Sequence, residues 1–259
     1  MRPIFDTHVH YDDDAFDEDR EALIESLPAG GVAKAVDIGA SIESSKKALE
    51  LAHGYDHIYC ALGVHPEEIG GLEDAEGRAW LEDHVTDDRC VAVGEIGLDY
   101  HWEDTTPEDQ QKWFLWQLDL AKRKNMPIVI HSRDAAKDTA DILRSEKAGD
   151  LGGVIHCYSY TKEMAREFLD MGFYIGIGGV LTYKNAKKLV EAAEYIPMDR
   201  IVLETDGPYL APEPVRGTRN TSLNIRYVIE RLAQIKQITE AEVREAALNN
   251  AHTLYRLQP

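Results

Sequence analysis

Several histidines and carboxylates of this chain occur in short motifs whose residue types are suited to metal binding. The chain opens with "IFDTHVH", in which His8 and His10 stand one residue apart behind Asp6. Alternate side chains of a β-strand share a face, so we expect all three to point together. Polar side chains that point into a core need a reason, and a metal ion is one.

Further candidates end later apolar runs, in the motifs "GVHP", "GEIGLDY", "VIHSR", "VIHCYS" and "LETDGPYL". The expected metal ligands are imidazoles and carboxylates without thiolates: His8, His10, Glu95, His131, His156 and Asp206. This donor set suits zinc, manganese, iron or nickel, and magnesium less well. Six such residues are enough for two divalent ions, and Glu95 is the expected bridge because its strand lies between the others.

The same residue types predict a hydrolytic role. Two neighbouring divalent ions can activate one water and clamp an ester oxygen. We expect Asp206 to accept the proton of that water while it holds one ion, with Glu95 as the second catalytic carboxylate. His65 and Arg133 are the expected substrate contacts, since arginine can pair with a phosphate through two nitrogens.

Other polar residues near these motifs have supporting roles in this interpretation. We expect Asp99 and Glu204 to orient ligands or brace loops. Arg216 and Arg219 could extend a positive surface toward a phosphate. The acidic run "YDDDAFDEDRE" is typical of a solvated loop that leads into a helix.

Eight short runs rich in apolar and β-branched residues would position these side chains. They are "PIFDTHV", "AKAVDIGA", "IYCALGV", "CVAVGEIGL", "MPIVIHS", "GGVIHCY", "FYIGIGG" and "RIVLETD". Amphipathic stretches separate them, and one begins at Thr106-Pro107, a pattern typical of a helix cap followed by a first-turn proline.

Alternating strands and helices predict an α/β protein with a parallel sheet. Eight units favour a (β/α)8 TIM barrel that forms a single domain over residues 1–259. An open doubly wound sheet is the alternative, but no glycine-rich dinucleotide motif follows the first strand. The candidate residues all end their strands, on the face where barrel enzymes keep their active sites.

Composition excludes several classes of protein. No apolar stretch is long enough for a membrane span, and no signal peptide pattern opens the chain, so we expect a cytoplasmic protein. Its three cysteines are widely spaced and form no thiolate zinc motif. The net charge of −19 argues against a broad basic surface for nucleic acid.

The ordered series "DTHVH", "GVHP", "GEIGLDY", "HSRDA", "HCYS" and "ETDGPYLAP" resembles the TatD family of metal-dependent hydrolases, within the amidohydrolase superfamily. The resemblance runs from residue 6 to about residue 255. It implies a TIM barrel, a two-metal centre held by the six residues above, and a 3′–5′ exonuclease activity on DNA. Gly207 and Ser222 depart from the family pattern, and we expect both beside the substrate groove.

These observations together favour a metal-dependent deoxyribonuclease that acts on single-stranded ends. The alternative is hydrolysis of an amide, a lactone or an aminoacyl ester at the same metal centre. A binding protein that only retained the fold is a third interpretation, but the intact ligand set argues against it. The sequence does not determine the oligomeric state.

Overall fold

The computed structural model describes residues 2–102 and 104–258. Its centre is one sheet of eight parallel strands, paired in chain order from β1 to β8. The strands are Ile4–Val9, Val32–Ile38, Ile58–Leu62, Cys90–Asp99, Ile128–Arg133, Gly153–Ile155, Tyr174–Ile177 and Ile201–Leu203. A parallel bridge from Val9 to Gly207 joins β1 to the segment after β8. The predicted (β/α)8 barrel is confirmed, and the open sheet was the wrong alternative.

Helices follow the strands and cover the outside of the sheet. Helices α1 to α9 are Arg20–Ser26, Ile42–Gly54, Ala75–His84, Pro107–Lys124, Ala136–Ser145, Lys162–Asp170, Lys187–Tyr195, Ile225–Lys236 and Glu240–Leu254. Thr106 caps α4 as predicted, because its hydroxyl accepts a hydrogen bond from the amide of Asp109 at 3.2 Å. Among the described residues, no helix is long and apolar enough to cross a membrane.

The barrel interior is filled with apolar side chains below the level of the candidate residues. Phe5, Val36, Val129 and Val202 belong to one buried cluster there, together with Tyr255 just after α9. The Tyr255 hydroxyl donates to the carbonyl of Thr7 at 2.7 Å, which ties the end of α9 to β1. Helix α9 therefore helps to close the amino end of the barrel and leaves the carboxyl end for polar chemistry.

Strands β4 and β5 approach each other closely where the candidate residues begin. Gly97 has a φ of +149°, and a side chain built there would overlap the carbonyl oxygen of His131. Only glycine can adopt this φ and also lie this close to the backbone of the neighbouring strand. The close approach brings Glu95 of β4 within reach of the histidine on β5.

Candidate metal centre

Four of the predicted ligands form a tight group at the end of β1. The Nε2 atoms of His8 and His10 are 3.1 Å apart. Asp206 places Oδ1 3.5 Å from His8 Nε2 and 3.4 Å from His10 Nε2. Glu95 places Oε2 3.5 and 3.8 Å from the same two nitrogens. Two imidazoles and two carboxylates thus aim their donor atoms at one small region.

The other oxygen of Glu95 faces a second pair of histidines. Its Oε1 is 2.7 Å from Nδ1 of His131 and 2.6 Å from Nε2 of His156. Those two nitrogens are 3.1 Å from each other. Each oxygen of Glu95 therefore addresses a different pair of imidazoles, which is the arrangement expected of a carboxylate that bridges two cations.

Hydrogen bonds fix which nitrogen of a ring points inward. His131 Nε2 lies 2.9 Å from Oδ2 of Asp99, so its Nδ1 is left for the centre. His10 Nδ1 lies 2.8 Å from the carbonyl oxygen of Ile38, which leaves Nε2. Carboxylates and carbonyls that hold the outer nitrogen of a histidine are typical of metal sites, because they fix its tautomer and orientation.

Glu204 lies beside this group and differs from its neighbours in charge. Burial raises the pKa of Glu204 to about 8, so its carboxyl is mostly protonated at neutral pH. Its Oε1 accepts a hydrogen bond from the amide of Cys157, and its Oε2 has no partner. A ligand atom of Glu204 also lies within 4.8 Å of ligand atoms of His8 and His156. These contacts place Glu204 beside two of the predicted ligands, His8 and His156.

The buried carboxylates of this group require positive charge beside them. Burial would raise the pKa of Glu95, but His156 and His8 outweigh it and hold the pKa well below its usual range. Burial would also lower the pKa of His10, yet the hydrogen bond to Asp206 raises it to about 10. In the described chain no lysine or arginine pairs with Glu95 or Asp206. Without metal, the carboxylates are compensated by protons on histidines.

The donor set fits divalent metal ions. Nitrogen and oxygen donors from the six predicted side chains converge, and no thiolate is among them. Two buried ring nitrogens, His8 Nδ1 and His156 Nδ1, also lack any hydrogen-bond partner. All six predicted ligands are therefore brought together in a form that suits metal binding.

The two predicted substrate contacts lie on the wall of the cleft above the centre. The ring of His65 packs edge-on against the ring of His131, with 4.2 Å between the ring centres. Nδ1 of His65 accepts a hydrogen bond from the amide of Glu67. Arg133 is exposed, and its guanidinium lies 5.6 Å from the ring centre of Trp102. Both face the same cleft of about 960 Å³.

The rim of this cleft combines aromatic and acidic side chains. Trp102 is 48% exposed and Tyr209 is 54% exposed, and both line the opening. The acidic side chains outside the ligand set are Asp12, Asp13, Asp14, Glu43, Glu67, Glu68, Asp99 and Asp104, against the two cations Lys47 and Arg133. The opening is thus apolar in places and strongly negative overall.

Two expectations about individual residues are wrong. Asp6 does not face the centre with His8, because pairing of β1 with β2 is irregular between Asp6 and Val9. Its carboxylate instead accepts from the hydroxyls of Thr205 and Ser222, both at 2.6 Å. Ser222 is fully buried and also bonds to the hydroxyl of Tyr11 at 2.7 Å, so it does not border the cleft.

The late arginines do not extend the cleft either. Arg219 donates two hydrogen bonds to the carboxylate of Asp19, at 2.6 and 2.7 Å, and lies over the ring of Phe16. Arg216 lies 4.3 Å from the ring centre of Tyr183. Arg133 is therefore the arginine that the structure places at the opening.

Sequence reasoning underestimated Asp12 and missed the aromatic rim. Asp12 is only 6% exposed, accepts from the hydroxyl of Ser44 at 2.6 Å, and lines the cleft. Its position two residues after His10 was the available signal. No periodic pattern marks Trp102 or Tyr209, since both lie on loops.

Comparison with known proteins agrees with this geometry. The family model "TatD related DNase" matches residues 5–256. The uncharacterized metal-dependent hydrolase YabD of Bacillus subtilis is 40% identical over 98% of this chain and 99% of its own length. YcfH of Escherichia coli, with the same description, is 34% identical over 98% and 96%.

A solved structure is similar as well. The TatD homolog YjjV from Escherichia coli superposes with a TM-score of 0.91 at 32% identity, over 98% of both chains. The family model and the relatives span nearly the whole chain, and the predicted ligands of the family converge in the structure. The chain belongs to the TatD-related DNase family of metal-dependent hydrolases.

Proposed function

We propose that this protein is a cytoplasmic deoxyribonuclease that removes nucleotides from the 3′ ends of single-stranded DNA, using two divalent ions. The observation that carries the proposal is the combination of side chains at the opening of the cleft above the candidate metal centre. Exposed aromatic side chains, Trp102 and Tyr209, stand over a cluster in which Glu95 addresses two separate pairs of histidines.

One ion would be held by His8, His10, Asp206 and one oxygen of Glu95. The other would be held by His131, His156 and the second oxygen of Glu95. Divalent ions supply Lewis acidity there, which makes a water acidic enough to act as a nucleophile near neutral pH and neutralises negative charge on the ester.

Asp206 is the residue best placed to take a proton. Burial would raise its pKa, but the hydrogen bond to His10 and the nearby His8 and His156 hold the pKa below its usual range. The carboxylate is therefore ionised at neutral pH, the form that can accept a proton, and its lowered pKa makes it a weak base that would release that proton again. Its side chain keeps 15% of its surface accessible, so a water in the cleft can reach it.

The rim would orient the substrate. Base stacking on an aromatic side chain contributes about 1–3 kcal/mol per base without regard to sequence. Trp102 and Tyr209 can each receive a base of a single strand, and Arg133 beside Trp102 can pair with a phosphate. His65 borders the cluster next to His131 and would contact the scissile group.

The acidic rim limits the length of nucleic acid that can bind. Duplex DNA requires many phosphate contacts along a surface, and a rim with two cations repels it. A frayed or single-stranded end brings only a few phosphates into the opening. We therefore expect cleavage from ends and little cleavage within a duplex.

The same acidic rim favours a second candidate. A neutral or cationic amide, lactone or aminoacyl ester would meet no repulsion there. Such a substrate would use the same ligands and the same proton acceptor, but it would gain little from Arg133.

The test compares 5′- and 3′-labelled single strands, a covalently closed circle and a panel of lactones, amides and aminoacyl esters, each with metal-loaded protein. We expect mononucleotides released from the 3′ end and an intact circle. Robust cleavage of the circle would contradict the end-directed mode. Turnover of the small esters or amides without any nuclease activity would favour the second candidate.

Variants of the rim separate binding by stacking from catalysis. Trp102→Ala should raise KM for single-stranded DNA about tenfold and leave KM for bis(p-nitrophenyl) phosphate nearly unchanged. Tyr195→Ala removes an equally exposed aromatic side chain outside the cleft and serves as the control. Equal effects of the two variants would remove the stacking role.

A further inference from the structure

A second cavity lies at the opposite end of the barrel from the metal centre. It measures about 960 Å³, and it is lined by residues before and at the start of β1 and β2, by Thr221, Leu223 and Asn224 before α8, and by parts of α8 and α9. His8 and His10 are at the other end of β1. Binding in this cavity would therefore be separate from the reaction at the metal centre.

One arginine in this cavity has no partner for its charge. Arg244 of α9 is only 8% exposed, and its Nε is buried without a hydrogen bond. The described residues provide no ion pair for its guanidinium. The neighbouring arginines are exposed and have side-chain partners, since Arg2 pairs with Glu245 at 2.9 Å and Arg226 donates to the hydroxyl of Tyr227 at 2.8 Å.

A guanidinium that is largely buried and has no counter-charge keeps only part of its hydration. Removing a charge from water is offset only when an opposite charge and hydrogen bonds replace the lost hydration. In a chain with 47 acidic and 28 basic side chains, a carboxylate for Arg244 would be easy to supply. Glu230 and Glu240 line the same cavity, but neither forms an ion pair with Arg244 in the described part of the chain, so the guanidinium remains available to an anionic ligand.

The chemistry of the cavity narrows the ligand. The planar guanidinium matches the oxygens of a phosphate or carboxylate. Arg226 at the rim adds a second cation, whereas the exposed Glu230 and Glu240 would repel an extended polyanion. Because the cavity is much larger than an inorganic ion, it can also accommodate the uncharged part of a larger ligand, which would lie beside Leu223.

We propose that this cavity binds a small molecule whose phosphate or carboxylate group pairs with Arg244. The site is independent of the nuclease activity proposed above, because it shares no residue with the cleft at the carboxyl end.

The test uses full-length protein from which metal and then chelator have been removed, so that anions have no metal to bind. Inorganic phosphate, acetate and deoxyadenosine 5′-monophosphate are titrated at constant ionic strength against chloride, and thermal unfolding is followed. We expect at least one of these anions to raise Tm, with a logarithmic dependence on its concentration above the Kd, because a ligand that binds only the folded state stabilises it. The phosphate and acetate arms distinguish the two kinds of anionic group.

Two variants assign the effect to the cavity. Arg244→Gln should raise the Kd of the stabilising anion by about tenfold or more. Arg166→Gln removes an exposed arginine elsewhere and should leave the Kd unchanged. Arg244→Gln should also be no less stable than wild type without anion, since it removes an uncompensated buried charge.

A direct measurement on the wild-type protein protects the test against misfolding of the variant. The Nε–H resonance of Arg244, assigned by its loss in Arg244→Lys, should shift hyperbolically with anion concentration and give the same Kd as the rise in Tm. Each of three results would overturn the proposal. They are no stabilisation by any of the three anions, an unchanged Kd in Arg244→Gln, and an Arg244 resonance whose chemical shift does not change with anion concentration.

Discussion

At the scale of single residues, Glu95 is the side chain on which the metal centre depends. It is 3% exposed and has an oxygen within 3.8 Å of a ring nitrogen of each of four histidines. Such a carboxylate is stable in the core only when positive charge surrounds it. Protons on the histidines provide that charge when metal is absent, and divalent ions would replace them.

Substitution of Asp206 tests its proposed role as the proton acceptor. Asp206→Asn should lower kcat by about 10²–10⁴-fold at saturating metal, because the amide cannot accept a proton. Metal affinity should fall by a smaller factor, since His8, His10 and Glu95 would still hold that ion. Asp170→Asn on the exterior helix α6 is the control for the substitution itself. A kcat near that of wild type would show that another group takes the proton.

Metal binding should release protons. The hydrogen bonds that outweigh burial raise the pKa of His10 to about 10 and that of His131 to about 9, so both rings are protonated at pH 7 without metal. A ligating nitrogen must be neutral, so manganese binding at pH 7 should release at least about two protons, one from each of these rings. The release should decline as the pH rises through 9 to 10, where both rings become neutral unaided.

Calorimetry in buffers of different ionisation enthalpy measures this release. Asp99→Asn weakens the hydrogen bond that raises the pKa of His131 and should reduce the release by about one proton. Release of fewer than one proton by the wild-type protein would contradict the assignment of these two rings as ligands.

At the scale of elements, the sequence was sufficient for the strands and for the direction of most key side chains. Alternating apolar runs predicted eight strands in a barrel, and the residues that end them meet because parallel strands share a carboxyl end. Asp6 was misplaced because strict alternation fails where β1 pairs irregularly with β2. Arg219 was misplaced because its partner, Asp19, is distant in sequence and unmarked by any pattern.

Substitution of Gly97 tests whether the close approach of β4 to β5 is required. Gly97→Ala should lower the free energy of unfolding by about 2 kcal/mol, because a methyl group would overlap the His131 carbonyl at an unfavourable φ. Metal affinity should fall as well, since His131 would be displaced from Glu95. Urea denaturation and metal titration measure the two effects.

The control for this variant is Gly54→Ala in α2, where a side chain would meet no neighbouring atom. We expect no loss of stability there, because alanine favours a helix. Equal stability of the Gly97 and Gly54 variants would show that the close approach of β4 to β5 is not required.

At the scale of the whole molecule, negative charge opposes a polyanionic substrate. The net charge is −19, and most charged side chains around the cleft are acidic. Activity on DNA then depends on local positive charge rather than on a broad basic surface. Few counterions leave the DNA when only a few phosphates are contacted, so salt should have a small effect.

A salt series measures this effect. Between about 50 and 200 mM NaCl, kcat/KM for single-stranded DNA should fall by less than about tenfold, whereas many phosphate contacts would cost about 10³–10⁵-fold in affinity. Bis(p-nitrophenyl) phosphate, with one phosphate, should respond little and is the reference. A steep decline for DNA alone would indicate an extended basic surface, contrary to the charges seen at the opening.

The most direct test of the metal centre is the number of ions bound per chain in wild type and in Glu95→Gln. After reconstitution with manganese or zinc and removal of excess metal, elemental analysis should find two ions in wild type. Glu95→Gln should bind one ion or none, because the amide cannot give an anionic oxygen to each pair of histidines. Glu67→Gln, on the wall of the same cleft, should keep both ions. A single ion in wild type, or an unchanged number in Glu95→Gln, would contradict a pair of ions bridged by Glu95.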